Sequence, residues 1–215
     1  MLMVRLELNS TLYIAKGRHR ECYLHPDDDR LCVKIIYNAT NSGLKESRRE
    51  QAYYRFLEKR NIDWSVLPAC HGKVETNLGT GMVFDFVRDF DGKPSRTLEH
   101  YLHHEFFDGL NNPVFCNALA ALKVDLLKNR IISMTLKSKN ILYRKESAET
   151  GRLVIVDNIG NSSLIPVASY SDFFGKRKIE RTWARFINSL SEVQQTESLN
   201  GDIVNGYRQS CQYPK

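Results

Sequence analysis

The spacing of apolar and polar positions divides the chain into a strand-rich first part and a helix-rich second part. Between Met3 and Tyr37, apolar runs at Leu12–Ala15, Glu21–Leu24 and Leu31–Tyr37 are separated by turn-like Lys16–Arg20 and Pro26–Arg30, which predicts a small antiparallel meander. Lys45–Arg60 then sets Ala52, Tyr53, Phe56 and Leu57 at helical spacing among charges, predicting one amphipathic helix. Asn61–Lys73 reads as a loop entering a strand, and Gly79–Gly81 turns the chain into the apolar strand Met82–Val87.

Beyond the Asp89–Pro94 turn the period lengthens. Thr97–Phe107 and Pro113–Asn129 are predicted helices, the second with a proline at its start, where the missing N–H has no helical partner to lose. Ser133–Asn140 reads as a polar loop. Ile141–Arg144 and Arg152–Val156 form a strand pair bridged by Lys145–Gly151, and Lys176–Leu190 is a last amphipathic helix. Ser191–Lys215, rich in Gln, Ser and Asn, is expected to be a loosely ordered polar tail. The order predicts an α+β fold with boundaries at 1–87, 88–190 and 191–215.

Composition narrows the class. A chain of 215 residues, 42% hydrophobic, can bury one core or two small lobes. The longest apolar runs are strand-sized, well below the roughly 18 residues a membrane span needs. Met1–Asn9 alternates apolar and charged residues and lacks the continuous apolar centre of a secretory signal, so a cytoplasmic protein with no membrane partner is expected. Five cysteines without a CxxC pair predict reduced thiols. A net charge of +6 and a pI near 9.0 favour anionic partners, with nucleotide, nucleic acid and anionic metabolite all open.

Within Cys32-Val33-Lys34-Ile35, a strand lysine between apolar neighbours places its ammonium on one face, where an anion would satisfy it; a solvated edge-strand lysine is the plainer alternative. Protein kinases use such a lysine on nucleotide phosphates and orient it with a helix glutamate, here Glu50 or Glu46. In Ser133–Leu142, Asn140 and Lys137 match a kinase catalytic loop in type and spacing. Where that loop has its proton-accepting aspartate stands Thr135, whose neutral hydroxyl is too weakly basic for the task. Leu153–Val156 is an apolar run ending in Asp157, as a metal-binding carboxylate at a cleft floor requires, and Asn158 is either a second ligand or a turn former. Gly17 stands alone where kinases have a glycine-rich loop. Arg18, His19 and Arg20 follow it, for phosphate contact or as the solvated tip of a hairpin. Asp85 and Phe86 fall at the position of the adenine-contacting hinge.

Singly these residues are commonplace; their order is what points to a two-lobed protein-kinase-like fold with an antiparallel N-lobe and a shortened, mostly helical C-lobe. The chain resembles the YrbL family of PhoP-regulated proteins in Gly17–Arg20, Cys22-Tyr23, Lys34-Ile35, Lys45–Tyr54, Thr80-Gly81, Phe90–Ser95, Leu136–Leu142, and Asp157–Gly160 through Leu164–Pro166. The resemblance covers about Leu12–Ile187. It implies a protein-kinase-like fold and a place in a magnesium-responsive regulatory network.

Three functions follow as expectations. One is a pseudokinase-type regulator that holds ATP and Mg2+ through Lys34, Asn140 and Asp157 and recruits a protein partner. Another is an atypical phosphotransferase; no A-P-E sequence follows Gly160, so a small-molecule acceptor is favoured over a protein. The third is nucleic-acid binding by the basic surface, which is not favoured because no nucleic-acid motif accompanies Lys176–Arg185; its neighbours Phe173, Phe174 and Trp183 are expected to pack. His100, His103 and His104 share a helical face that reads as solvated, and a zinc site there is rejected.

Overall fold

The computed structural model describes residues 5–37, 40–103, 112–160 and 172–198. The chain divides into two compact units. One comprises Met1–Arg60 with Pro68–Val87; the other comprises Asn61–Leu67 with Arg88–Lys215. Strands and helices together make an α+β protein, and no helix among the described residues is long and apolar enough to cross a membrane.

The first unit holds β1 (Tyr13–Lys16), β2 (Arg20–Leu24), β3 (Leu31–Ile36), α1 (Asn41–Glu58), β4 (Cys70–Thr76) and β5 (Gly79–Asp85). The strands form one antiparallel sheet in the order β1-β2-β3-β5-β4. Alternation sorts the side chains between its faces. Tyr23, Val33, Ile35 and Val83 point one way and bury with Leu6 and Leu8, each such burial contributing about 1.5–3 kcal/mol. Gly81 belongs to this face because a Cβ there would stand 2.6 Å from Val33 Cγ1 and 2.7 Å from Ile35 Cδ1. The opposite face carries Phe84, whose ring meets Tyr54 of α1 edge-on at 5.4 Å.

Helix α1 starts earlier than its apolar spacing suggests. Thr40 caps it, its hydroxyl accepting the Gly43 N–H at 3.3 Å. The buried stripe runs through Gly43, Ser47, Glu50, Tyr54 and Leu57, with Tyr53 beside it, while Ala52 is exposed. The first three positions of that stripe are Gly, Ser and Glu, so hydrophobic periodicity marks only its C-terminal end.

The second unit contains β6 (Arg96–Thr97), α2 (Leu98–His103), α3 (Pro113–Lys128), β7 (Ile141–Lys145), β8 (Gly151–Ile155) and α4 (Asp172–Ser198). β6, too short to register as a period, pairs with β7 to make a three-stranded antiparallel sheet β6-β7-β8. α3 is capped by Asn112, whose Oδ1 accepts the Val114 N–H at 2.9 Å, and buries Phe115, Leu119, Leu122 and Leu126. The chain leaves α3 through Arg130 in the left-handed region (φ 48), and Ile131 and Ile132 enter the core at once. α4 extends past Leu190 to Ser198, so the first eight residues of the expected polar tail are helical; Glu and Gln there are good helix formers continuing an amphipathic helix. Trp183 packs inward as expected, at 3% exposure. Phe173 and Phe174 do not, at 65% and 51%, because the first turn of α4 presents them away from the Ile179–Trp183–Phe186 side. The Phe107 end of the second expected helix, together with His104 and Leu164–Pro166, lies outside the described residues.

Candidate functional site

In the first unit the sheet register sets Lys34 opposite Cys22 on β2 and opposite Met82 on β5. Its Nζ stands over the Phe84 ring, 4.5 Å from the centroid, a cation–π contact that holds the ammonium on the α1 side of the sheet. Of the two glutamates considered, Glu46 is exposed and Glu50 is buried at 4% exposure. Glu50 receives the guanidinium of Arg20 on its Oε2, and its buried Oε1 has no hydrogen-bond partner. Arg20 is thus the cation on Glu50, a partnership that sequence spacing does not disclose because helix and strand lie thirty residues apart.

Gly17 closes the β1–β2 hairpin, its N–H donating to the Arg20 carbonyl at 2.7 Å. The Arg18 side chain is exposed, while the Arg18 and Gly17 carbonyls face the Tyr37 hydroxyl at 2.9 and 3.2 Å. Lys16 covers the Tyr37 ring at 3.9 Å, so the aromatic residue that follows β3 braces a basic hairpin tip. Asp85 accepts the Ala69 N–H at 2.9 Å and contacts His71 Nε2 at 2.7 Å; its own N–H donates to Ala69 O, and that of Phe86 to Arg30 O. These bonds tie the end of β5 to the segments entering β4 and β3 on either side of it.

In the second unit two segments of the expected site run side by side. Met134 N–H donates to Asn158 O at 2.8 Å and Gly160 N–H to Ile132 O at 2.9 Å, with Ser133 bridged antiparallel to Ile159. The buried Ser133 hydroxyl lies 2.9 Å from both the Thr135 and the Asn158 carbonyl oxygens and donates to either. Asn140 belongs to a 3-10 turn, Ser138–Asn140. Its N–H donates to Lys137 O, and its carbonyl accepts the Val156 N–H, both at 2.9 Å. The Asn140 backbone therefore adjoins the residue before Asp157. Lys137 itself is exposed.

Asn158 has φ 63, a conformation its short polar side chain tolerates and the reason a glycine is not needed directly after Asp157; Gly160 supplies a second positive φ of 126. The Asn158 N–H donates to Asp157 Oδ1 at 2.8 Å, and its Nδ2 donates to the Thr135 hydroxyl at 3.3 Å. Asn158 is thus a turn former that also occupies Thr135. Asn140 and Asp157 offer hard oxygen donors on neighbouring segments. No group of three or more His, Cys, Asp and Glu gathers among the described residues. Such a donor pair fits an ion that completes its shell with phosphate and water, the habit of Mg2+ rather than of zinc.

Among the described cysteines, Cys22, Cys32 and Cys70 carry free thiols, whereas Cys116 is disulfide-bonded, contrary to the expectation that all five are reduced. The Cys22 thiol is held below its ordinary range by hydrogen bonding to Cys32 and by the Lys34 and Arg20 charges, against the opposing effect of burial. Cys32 is pushed well up by the same thiol pairing and by burial.

Comparison with known proteins adds a family. The family model described as PhoP regulatory network protein YrbL matches residues 6–191. The YrbL proteins of Escherichia coli (strain K12) and Shigella flexneri are each 45% identical to the chain over 185 residues, covering 86% of it and 87% of the relative.

Proposed function

Because the chain belongs to the YrbL family of PhoP regulatory network proteins, we propose that it serves that network as a nucleotide-binding, pseudokinase-type regulator with a two-lobed protein-kinase-like build. Lys34 would receive the phosphates, Asn140 and Asp157 a magnesium ion, and the bound state would recruit a protein partner. The build is supported by a five-stranded antiparallel sheet with one helix inserted after its third strand, followed by a unit of helices with a β-hairpin.

The observation that carries the reading is the Thr135–Asn158 contact. A kinase needs a carboxylate at the place of Thr135 to accept the acceptor's proton. Here a neutral hydroxyl stands there and already accepts a hydrogen bond from Asn158, while the Asn140 and Asp157 oxygens are retained on adjoining segments. Holding nucleotide without deprotonating an acceptor is what this combination favours.

Thermal unfolding with and without Mg-ATP tests it. A ligand at a hundredfold excess over its Kd adds about 2.7 kcal/mol to the folded state, an easily measured rise in Tm. The rise should vanish without Mg2+ and in Lys34→Met and Asp157→Asn, and ATP should remain unhydrolysed. No rise at millimolar Mg-ATP would sink the nucleotide reading; ATP consumption with an added metabolite would replace the pseudokinase with a phosphotransferase.

A further inference from the structure

We propose that Cys22 and Cys32 are an oxidisable dithiol, converted by a hydroperoxide into a reversible disulfide whose formation is felt at Lys34. Cys22 lies opposite Lys34 and Leu24 opposite Cys32 across β2 and β3; Cys32 in turn faces Phe84 on β5. Because side chains alternate between faces, Cys22, Cys32, Lys34 and Phe84 all project from the same side of the sheet. Cys22 and Cys32 are therefore diagonal neighbours on adjacent strands of one sheet face. Cys32 Sγ also lies 3.7 Å from the Asp85 carbonyl oxygen. Cys22 is half-buried and Cys32 is 5% exposed, so an oxidant reaches Cys22 first.

The surroundings divide the labour. Cys22 faces two cations, Lys34 and Arg20, and accepts from Cys32, all of which favour its thiolate, the nucleophilic form. Cys32 keeps its proton. Cys70, opposite Phe84 on β4, is raised by burial and is the inert comparison on the same sheet.

The chemistry balances with one hydroperoxide. The Cys22 thiolate attacks a peroxide oxygen, forming an S–O bond as the O–O bond breaks, and the departing oxygen takes a proton and leaves as water or an alcohol. Cys32 then loses its proton and attacks the Cys22 sulfur, forming the S–S bond as the S–O bond breaks and water departs. Two thiols are oxidised by two electrons in total, and one peroxide is reduced.

Diagonal neighbours on antiparallel strands have Cα atoms about 7–8 Å apart, beyond the roughly 4.4–6.8 Å usual for a disulfide. Closure therefore draws β2 and β3 together, and a bond that distorts its strands is readily reduced. Lys34 sits between the two anchors, being the cross-strand partner of one and two residues from the other. On the nucleotide reading proposed above, cross-linking weakens Mg-ATP binding by displacing the lysine from its place over Phe84.

The test uses the full chain, reduced and then exposed to hydrogen peroxide, alkylated with iodoacetamide, digested and analysed by mass spectrometry. The expected product joins the Cys22 and Cys32 peptides with the loss of two hydrogens and is reversed by dithiothreitol, while Cys70 stays alkylatable. In Cys32→Ser, Cys22 should be trapped by dimedone as a sulfenic acid; in Cys22→Ser, Cys32 should stay reduced. Should either variant fail to fold, the wild-type cross-link alone decides. Oxidation of Cys70 as fast as Cys22, or no Cys22–Cys32 link after peroxide, overturns the dithiol. Thermal shift by Mg-ATP then separates the consequences. A smaller shift after oxidation than before supports the effect at Lys34, and equal shifts overturn it. No shift even in the reduced protein removes the nucleotide reading, and the effect at Lys34 with it, while the dithiol is judged by the mass result.

Discussion

Replacing Arg20 with methionine keeps most of the side-chain volume and removes the cation on Glu50, a carboxylate whose side chain is 6% exposed and whose second oxygen already lacks a partner. Losing one member of a buried pair costs about 3–5 kcal/mol, since the remaining charge stays desolvated. Arg20 is itself 20% exposed, so water relieves part of the penalty and the lower end, about 3 kcal/mol, is expected. At a urea dependence of about 2 kcal/mol per molar, the unfolding midpoint should fall by about 1.5 M. Both tryptophans, Trp64 and Trp183, belong to the second unit and do not report on this pair. Alkylation of the buried Cys32 by a thiol probe in graded urea does, because its protection is lost when the first unit opens. Adding Glu50→Leu to Arg20→Met should recover most of the loss, since an apolar pair of similar volume replaces the stranded charge. A midpoint shift below about 0.5 M for Arg20→Met alone, corresponding to about 1 kcal/mol, would refute the premise that Arg20 neutralises Glu50.

Two further outcomes are expected. Asn158→Ala should destabilise the second unit by about 1–2 kcal/mol relative to Asn158→Gly, because φ 63 is strained for alanine and not for glycine; unfolding followed by Trp183 fluorescence measures this, and equal stabilities would remove the strain argument. The Arg30 side chain, and then its backbone N–H, bonds to Asp28 and holds that carboxyl down to about 2. Its stabilising effect is therefore fully present above the ordinary carboxylate pKa of about 3.9 and is lost as pH falls through about 2. Carboxyl-carbon NMR should show the Asp28 midpoint moving upward in Arg30→Ala, and an unmoved midpoint would refute the assignment.

Much of the chain could be read from its pattern alone. The meander strands, the apolar strand β5, the proline-led α3 and the β7–β8 hairpin follow from alternation and turn residues, because each is a local contest between period, branching and backbone freedom. The family resemblance was legible too, since it rests on ordered short motifs; the match over residues 6–191 supports it. Composition also announced the basic character, which belongs to the residues and not to their arrangement.

Only the tertiary structure decided who partners whom. Local spacing pointed to Glu50, with Glu46 one turn earlier as the alternative; Glu50 is the buried one of the two, and the fold gave it Arg20, because the β1–β2 hairpin and α1 meet only when the sheet forms. The sequence order singled out Thr135, but its contact with Asn158 depends on pairing segments more than twenty residues apart. Ser47 and Glu50 lie on the buried face of α1 and so broke its apolar period, while the capping of that helix by Thr40 depended on a hydrogen bond that a reading of hydrophobicity does not register. The Cys22–Cys32 neighbourhood likewise arises from strand register, a non-local choice made by the packing of both sheet faces.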